Sequence, residues 1–211
     1  MKTCYIFGAA EGLPKKFSPK PDDLVIAADA GFLKLKEIGM PPHIIVGDFD
    51  SLKEVPECTE VFKHSAIKDD TDTMLAVKLG LQRGFGRLVL YGCAGKRLDH
   101  TLANLQTLCY ISSKGAKGYL CGDDFTATAL SGSNIYFKPQ SKGIISLFSA
   151  TSECKVTLEG LKYPLTDATV SYNFPIGVSN EFTGREAVVR VKSGTAIIIW
   201  SGDLDNIQTH M

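Results

Sequence analysis

The sequence has no excess of basic residues. Lysine and arginine together number 23, and aspartate and glutamate also number 23, in a chain of 211 residues. A protein that binds nucleic acid usually carries a basic surplus, because it must neutralise phosphates. The balance therefore argues against a nucleic-acid partner.

Long apolar runs are also missing. No stretch approaches the roughly 18 consecutive apolar residues that a membrane span requires. The apolar run near the start, Cys4–Phe7, is shorter than the hydrophobic region of a signal peptide. We therefore predict a soluble, cytoplasmic protein with no membrane partner.

Three motifs that would indicate other kinds of site are absent. The six cysteines include no C-x-x-C pair, and no two of the four histidines have the spacing of zinc ligands, which argues against a zinc site. We expect reduced and mostly buried thiols. The P-loop pattern G-x-x-x-x-G-K-S/T does not occur, which argues against a Walker-type nucleotide enzyme.

In the first half of the chain, short apolar runs alternate with helical patterns. The predicted strands are Cys4–Phe7, Leu24–Ala28, Ile44–Val46, Leu88–Tyr91 and Gly118–Cys121. The predicted helices are Ala30–Ile38, Thr71–Arg83 and Asp99–Ser113. This alternation predicts an α/β domain with a doubly wound, mostly parallel sheet.

Beyond about residue 123 the helical period disappears. Seven short runs rich in threonine, valine and isoleucine follow one another, separated by glycine, proline and serine. This pattern is typical of an antiparallel sandwich or barrel. We therefore predict an α/β domain at residues 1–125 and an all-β domain at residues 126–211.

A first acidic cluster, Gly47–Ser51, follows the third predicted strand. In an extended chain residues two apart point the same way, so Asp48 and Asp50 can aim at one point. Two convergent carboxylates repel each other unless a cation lies between them, and Mg²⁺ prefers such oxygen ligands. The alternative is a turn in which Asp48 or Ser51 caps a short helix.

A second cluster, Lys68–Asp72, immediately precedes a predicted helix. Acidic residues at this position can serve as caps and interact favourably with the helix dipole. Three carboxylates in four residues exceed what one cap needs, however, and Lys68 is a candidate phosphate contact. Asp72 therefore joins Asp48 and Asp50 as a candidate magnesium ligand.

A third cluster, Gly92–His100, connects a predicted strand to a helix through a loop that contains glycine. Its backbone amides, together with Arg97, can hold phosphate, while Asp99 is placed to cap the helix. The alternative is a basic surface loop with a capping aspartate.

All three clusters, together with Asp29 after the second strand, are predicted at the carboxyl edge of one parallel sheet, where such folds bind ligands. Carboxylates that bind a metal, beside cations that stabilise developing charge, are the equipment of phosphoryl transfer. We therefore predict a magnesium-dependent enzyme that acts on a phosphorylated nucleotide.

The same segments resemble the thiamine pyrophosphokinase family. The segments that carry the resemblance are Ala28–Gly31, Gly47–Ser51, Lys68–Asp72, Gly95–Asn104 and Gly177–Glu181. Their order and approximate spacing span most of the chain. The sequence departs from the family at Ala30-Gly31 and Gly95-Lys96, where the family usually has two glycines.

The resemblance implies an α/β catalytic domain, a β-domain and a homodimer with active sites at the subunit interface. It also implies that the pyrophosphoryl group of ATP passes to the hydroxyl of thiamine, which gives thiamine diphosphate and AMP. The cofactor would be Mg²⁺, with ATP as co-substrate.

The resemblance, carried over by position, and the charge pattern of the clusters together give candidate roles to named residues of this chain. The candidate catalytic residues are Asp48, Asp50, Asp72, Arg97 and Asp99, of which Asp48, Asp50 and Asp72 would bind magnesium. The candidate ATP or phosphate contacts are Asp29, Lys68, Lys96, Arg97, Asp99 and His100. The candidate thiamine contacts are Ser179, Asn180 and Trp200. Trp200 could instead be a core aromatic residue; its functional role would be to stack on the cationic vitamin.

Three other functions stay open at this point. One is a phosphatase that forms an aspartyl-phosphate, and another is a nucleotide-sugar transferase with a D-x-D metal motif. The third is a regulatory module that binds nucleotide or thiamine without catalysis. The products formed from ATP, Mg²⁺ and thiamine would separate these alternatives.

Overall fold

The computed structural model of the chain describes residues 2–47, 60–63, 70–95 and 97–208. Four of the predicted site residues, Asp48, Asp50, Lys68 and Lys96, lie outside these ranges. The chain divides into two compact units. The first contains the residues up to Thr107 together with Lys114–Asp123, and the second contains Leu108–Ser113 together with the residues from Asp124 onwards.

The first unit contains six strands that pair in parallel. They are β1 (Thr3–Phe7), β2 (Leu24–Ala28), β3 (Ile44–Gly47), β4 (Glu60–Lys63), β5 (Arg87–Tyr91) and β6 (Lys117–Cys121). The order across the unit is β6-β5-β1-β2-β3-β4. The five predicted strands are therefore confirmed. The strand β4 was not predicted, because it is short and lies at the edge of the order, with Val61 exposed.

Three helices accompany these strands: α1 (Gly31–Glu37), α2 (Asp72–Gln82) and α3 (Leu98–Ser113). Leu35 of α1 packs in a cluster with Phe7 of β1, whereas Gly80 of α2 lies against Cys4 of β1. Side chains alternate between the faces of a strand, so α1 and α2 cover opposite faces of β1. The three helix predictions are confirmed, and the doubly wound description of the whole sheet stays a prediction.

The strand order reverses at β1, which pairs with β2 on one side and with β5 on the other. The backbones following β1 and β5 come very close there: Gly8 N–H donates to Tyr91 C=O at 2.8 Å. A Cβ added at Gly92, which has φ +62°, would lie 2.5 Å from the Gly8 carbonyl oxygen. Only glycine fits this position. Ligands of open α/β sheets bind at such a reversal, outside the carboxyl ends of the strands.

The second unit contains eight strands, and all the pairings recorded within it are antiparallel. They are β7 (Phe125–Ser131), β8 (Asn134–Phe137), β9 (Ile144–Ser149), β10 (Glu153–Glu159), β11 (Leu165–Ser171), β12 (Asn180–Glu181), β13 (Ala187–Ser193) and β14 (Thr195–Ser201). Four lie in the order β12-β9-β14-β7 and four in the order β11-β10-β13-β8. The antiparallel prediction is confirmed; β12 was missed because it has only two residues.

The two antiparallel layers of the second unit face each other. Phe137 of β8 and Trp200 of β14 come from different layers, and their ring centroids lie 5.3 Å apart in an edge-to-face arrangement. Burial alternates along β9, β10 and β14, as expected for strands with one buried and one solvated face. In the ranges that the structure describes, no helix is long and apolar enough to cross a membrane.

Candidate active site

Asp29 is the first polar residue after β2, and its backbone is in an uncommon conformation. Its φ is +51°, in the left-handed region, which aspartate tolerates better than most residues. Its N–H donates to the Val46 carbonyl of β3 at 2.8 Å. The chain thus turns sharply at the carboxyl end of β2 while staying bonded to β3, which places Asp29 at the predicted edge, half-buried.

The step from Asp29 into α1 explains one departure from the family pattern. Ala30 has an ordinary backbone conformation, with φ −69°, and begins the helix without needing to be glycine. Gly31 has no such freedom, because an added Cβ would lie 1.8 Å from the Phe7 carbonyl oxygen. The chain therefore retains the glycine that the packing requires and replaces the one that it does not.

Asp72 is the first residue of α2. The residue before it, Thr71, caps the helix: its hydroxyl accepts a hydrogen bond from Met74 N–H at 3.2 Å. Asp70 forms an ion pair with Lys78, with 2.6 Å between carboxylate oxygen and ammonium nitrogen. Because Thr71 provides the cap and Asp70 is paired, Asp72 is not required as the capping residue.

The first turn of α2 borders the loop after β5. The Thr73 side chain hydrogen-bonds to the thiol of Cys93, which is buried. Burial raises the pKa of Cys93 from about 9 to about 12, so the thiol stays protonated at neutral pH. The contact places Asp72 at the same carboxyl edge as the end of β5.

The loop from β5 to α3 is held by side chains of α3. Asn104, which is buried, donates from Nδ2 to the Cys93 carbonyl at 2.6 Å. The Thr101 hydroxyl accepts from Gly95 N–H at 3.2 Å and donates to the Arg97 carbonyl at 3.1 Å. The backbone on both sides of position 96 is therefore tied to the helix.

Arg97 and Asp99 form a two-point ion pair at the start of α3. Arg97 donates from Nε to Asp99 Oδ1 at 3.0 Å and from Nη2 to Asp99 Oδ2 at 2.6 Å. The hydrogen bond from Arg97 holds the pKa of the Asp99 carboxyl well below its usual range, and Asp99 raises the pKa of Arg97. His100 follows in the first turn of α3 and is exposed.

The first unit thus brings Asp29, Asp72, Arg97, Asp99 and His100 to the carboxyl ends of parallel strands, as predicted. No group of three or more histidine, cysteine, aspartate or glutamate side chains within the described ranges is arranged to hold a metal. Two of the three predicted magnesium ligands, Asp48 and Asp50, lie outside those ranges. The third, Asp72, is a hard oxygen donor of the kind that Mg²⁺ binds.

In the second unit, Ser179 and Asn180 lie beside the edge of β9. Ser179 is exposed, has φ +59° and donates from its N–H to the Ser146 hydroxyl at 3.1 Å. Asn180 is buried; its Oδ1 accepts from Tyr163 N–H at 3.0 Å, and its Nδ2 donates to Tyr163 C=O at 2.7 Å. The side chain of Asn180 therefore joins two segments, and Ser179 next to it faces solvent.

A surface pocket of about 360 Å³ opens beside this segment. It is lined by Ser141, Lys142, Gly143, Ile144, Ser179, Glu181 and Phe182. Lys142 and Glu181 bring both signs of charge, and Ile144 and Phe182 supply apolar surface. A small ligand with a flat apolar body and a charge matches such a lining.

Trp200 does not line this pocket. Only 1% of its surface is exposed, and its Nε1 donates to the Asp203 carbonyl at 3.3 Å. The ring packs against Phe137 inside the second unit. This burial favours the core-aromatic interpretation of Trp200 over a contact with thiamine.

Two residues that support the site had no role assigned to them from the sequence. Thr101 and Asn104 belong to the segment that carries the resemblance. In the sequence alone, however, they look the same as ordinary polar residues on the exposed side of a helix. Their function is to hold the loop before α3, and it depends on contacts at separations of six and eleven residues. They lie four and seven residues after Arg97, the last residue before α3.

Two family models match the chain. The model described as thiamin pyrophosphokinase, catalytic domain, matches residues 19–120. The model described as thiamin pyrophosphokinase, vitamin B1 binding domain, matches residues 128–198. Together they account for most of the chain, one within each half of the predicted division.

Curated relatives carry the same name. The chain is 28% identical to the thiamine pyrophosphokinase of Bacillus subtilis over 188 residues, which is 85% of this chain and 88% of the relative. It is 27% identical to thiamin pyrophosphokinase 1 of Caenorhabditis elegans over 187 residues, covering 82% of this chain and 75% of the relative.

Solved structures of thiamin pyrophosphokinases have a fold similar to that of this chain. The thiamine pyrophosphokinase of Bacillus subtilis superposes with a TM-score of 0.81 at 27% identity, covering 96% of this chain and 100% of that one. The thiamin pyrophosphokinase of Candida albicans has a TM-score of 0.77 at 15% identity, covering 96% and 89%, which shows a shared fold.

The fold and the similar proteins place the chain in a class of enzymes. In this class a parallel α/β unit supplies acidic and basic residues, and an antiparallel β unit follows it. Within that class, the chain belongs to the thiamin pyrophosphokinase family. It is accordingly an enzyme of thiamine pyrophosphorylation.

Proposed function

We propose that the chain transfers the pyrophosphoryl group of ATP to the hydroxyl of thiamine, giving thiamine diphosphate and AMP. The observation that carries this proposal is the collection of Asp29, Asp72 and the Arg97–Asp99 pair at the carboxyl ends of the parallel strands. Ligand phosphates are bound at such edges by backbone amides and cations. The family names supply thiamine as the acceptor.

In this proposal the residues of the first unit handle the nucleotide. Arg97, with Lys68, Lys96 and His100, would lie against the phosphates, and Asp29 would lie beside them. Arginine suits this role because its planar guanidinium can donate two parallel hydrogen bonds to phosphate oxygens. The thiamine hydroxyl would attack the β-phosphorus as the bond to AMP breaks, and an aspartate of the acidic cluster would accept the hydroxyl proton.

Asp48, Asp50 and Asp72 would hold Mg²⁺, which suits a donor set made only of carboxylates. When bound, the metal would neutralise charge on the phosphate oxygens. Asp72 lies at the N-terminus of α2, where the helix dipole favours an ionised carboxylate.

The pocket beside Ser179 is the proposed thiamine site. Ile144 and Phe182 in its lining supply apolar surface for the rings of the vitamin, and the Glu181 carboxylate, which pairs with Lys162 at 2.6 Å, borders the pocket. Asn180 would act by holding the segment that presents Ser179. In keeping with this division, we propose residues 1–125 as the domain that binds ATP and magnesium and residues 126–211 as the thiamine-binding domain.

We also propose a homodimer with active sites at the subunit interface. What supports it is a run of exposed apolar side chains next to the candidate thiamine segment: Tyr172, Phe174, Ile176 and Val178. Monomeric proteins rarely leave large apolar patches uncovered, and these four exposed side chains lie within seven residues of one another. Sedimentation of the purified chain tests this directly, and a monomer at micromolar concentration would count against it. A cytoplasmic location stays a prediction.

The test of the activity is an incubation of the purified chain with ATP, Mg²⁺ and thiamine, followed by separation of the products. Thiamine diphosphate and AMP in equal amounts are expected. ADP would indicate an ordinary kinase, free phosphate would indicate a phosphatase, and binding without products would indicate a regulatory module. Omission of magnesium should abolish product formation.

A further inference from the structure

Two hydrogen bonds join Arg97 to Asp99, which lies two residues further along the chain. Both carboxylate oxygens of Asp99 accept from the same guanidinium, one from Nε and one from Nη2. This side-on arrangement leaves Nη1, with its two N–H groups, directed away from the carboxylate. A guanidinium held in this way has one donor edge occupied and another available for an oxygen ligand.

Stability alone does not account for the pair. The side chains of Arg97 and Asp99 are 70% and 64% exposed. Exposed ion pairs contribute little to folding, because solvent screens them and two long side chains lose rotamer freedom. The pair therefore restricts the motion of Arg97 without a matching gain for the fold.

The backbone at Arg97 is already fixed by other contacts. The Arg97 carbonyl accepts from Thr101 N–H at 3.0 Å and from the Thr101 hydroxyl at 3.1 Å. Thr101 also accepts from Gly95 N–H. The remaining freedom is that of the arginine side chain, and Asp99 is the group that limits it.

We propose that Asp99 is a positioning residue for Arg97: it holds the plane of the guanidinium so that Nη1 meets a phosphate oxygen of the nucleotide. Asp99 itself would touch neither the phosphate nor the metal. A carboxylate and a phosphate repel each other, and Arg97 lies between them as the shared cation. This inference rests on the proposed function, since the nucleotide supplies the phosphate.

The test is a double-mutant cycle with Asp99→Asn, Arg97→Lys and the double variant. The dissociation constant for ATP with Mg²⁺ is measured by calorimetry without thiamine, and kcat and KM are measured for both substrates. Asp99→Asn should weaken ATP binding roughly tenfold and raise KM for ATP, with KM for thiamine unchanged. Arg97→Lys should weaken ATP binding at least as much, because an ammonium offers no planar fork.

The double variant shows whether Asp99 affects ATP binding through Arg97. If Asp99 acts through Arg97, removing its charge after Arg97→Lys adds nothing, so the double variant binds ATP as Arg97→Lys does. Losses that multiply would show that Asp99 contacts the nucleotide or metal independently and would overturn the proposal. Tighter ATP binding by Asp99→Asn would also overturn it, because the pair would then compete with phosphate.

Two controls keep the result interpretable. Glu60→Gln breaks the exposed Arg83–Glu60 pair, which lies at the amino end of β4 with 2.6 Å between its charged atoms. Its ATP affinity should equal that of the unmodified chain, and an equal loss would overturn the proposal. Asp99→Glu, which retains the charge, should restore part of the affinity lost in Asp99→Asn. Failure of the unmodified chain to make thiamine diphosphate would refute the proposed function, whereas the cycle tests the pair through ATP binding alone.

Discussion

The candidate residues of the two units differ in what their side chains do within the fold. At the carboxyl edge of the parallel unit, Arg97 and Asp99 are largely exposed and bond mainly to each other. In the antiparallel unit, Asn180 and Trp200 are buried, with polar atoms bonded inside that unit. The first group is available to a ligand, and the second group maintains the shape around the place where a ligand would bind.

This difference predicts two kinds of mutational result. Changes at the edge of the parallel unit should reduce activity and leave the free energy of unfolding nearly unchanged. Changes at the buried positions of the antiparallel unit should act chiefly by reducing the free energy of unfolding. The experiments below test this contrast between the two units.

The largest effect is expected for Asp72→Asn. Loss of its charge should lower kcat by roughly 10²–10³-fold, the loss usual when one preorganised electrostatic contact to the reacting group is removed. Stability should change by about 1 kcal/mol or less, because Thr71 still caps α2 and the interaction of a carboxylate with the helix dipole is of that size. Steady-state kinetics and thermal unfolding measure the two quantities.

Asp22→Asn, at an exposed ion pair with Lys2, is the matched control. An active Asp72→Asn enzyme would remove Asp72 from the mechanism.

The next largest effect concerns Trp200. Trp200→Ala should cost about 3–5 kcal/mol in the free energy of unfolding, because it leaves a cavity beside Phe137. Denaturant titration measures the loss. Trp200→Phe retains part of the volume and should cost less, with KM for thiamine unchanged. A stable Trp200→Phe protein with a much higher KM for thiamine would instead place the ring in the site.

A smaller effect is expected for Asn180→Ala. The change removes the acceptor for Tyr163 N–H and the donor to Tyr163 C=O, which should cost about 2–3 kcal/mol. Ser179→Ala, at the neighbouring exposed position, should cost less than about 0.5 kcal/mol and raise KM for thiamine. Equal losses of stability in the two variants would contradict the division between a structural Asn180 and a ligand-facing Ser179.

The smallest effect is expected from the ionisation of the Cys93 thiol, which should change the free energy of unfolding only at alkaline pH. Its pKa is raised by burial from about 9 to about 12, so the unfolded chain loses this proton at lower pH than the folded one. The contribution of the thiol to stability is therefore complete below pH 9 and declines as the pH rises towards 12. The decline in the free energy of unfolding between pH 8 and pH 10.5 should be smaller in Cys93→Ala than in the unmodified chain. Equal declines in the two proteins would show that burial does not raise the pKa of the Cys93 thiol.

The sequence predicted much of the local structure because local patterns determine it. Apolar runs indicated five of the six parallel strands, the spacing of apolar residues indicated α2 and α3, and Gly39 with the prolines after it indicated where α1 ends. The strand β4 was missed because its two apolar residues lie between Glu60 and Lys63 and form no longer apolar run, and β12 was missed because two residues are too few to show a pattern. The order of the strands, which places the reversal at β1, depends on pairings between distant segments.

The candidate site was predicted in part for a similar reason. A polar residue that follows a buried strand identified Asp29, and its position at the carboxyl edge was inferred from the parallel sheet alone. No local signal distinguished a buried Trp200 from an exposed one, because alternation along β14 is compatible with either face being covered. Likewise, the role of Asn180 depends on Tyr163, 17 residues away.

By itself, then, the sequence determined which segments form helices and strands, where acidic and basic residues follow them, and which family the chain resembles. Only the folded structure shows that Asn104 holds the loop after β5 and that Trp200 lies in the core. The physical reason is that backbone preferences act over a few residues. Burial and hydrogen bonding of a side chain, in contrast, depend on which distant segments the fold brings against it.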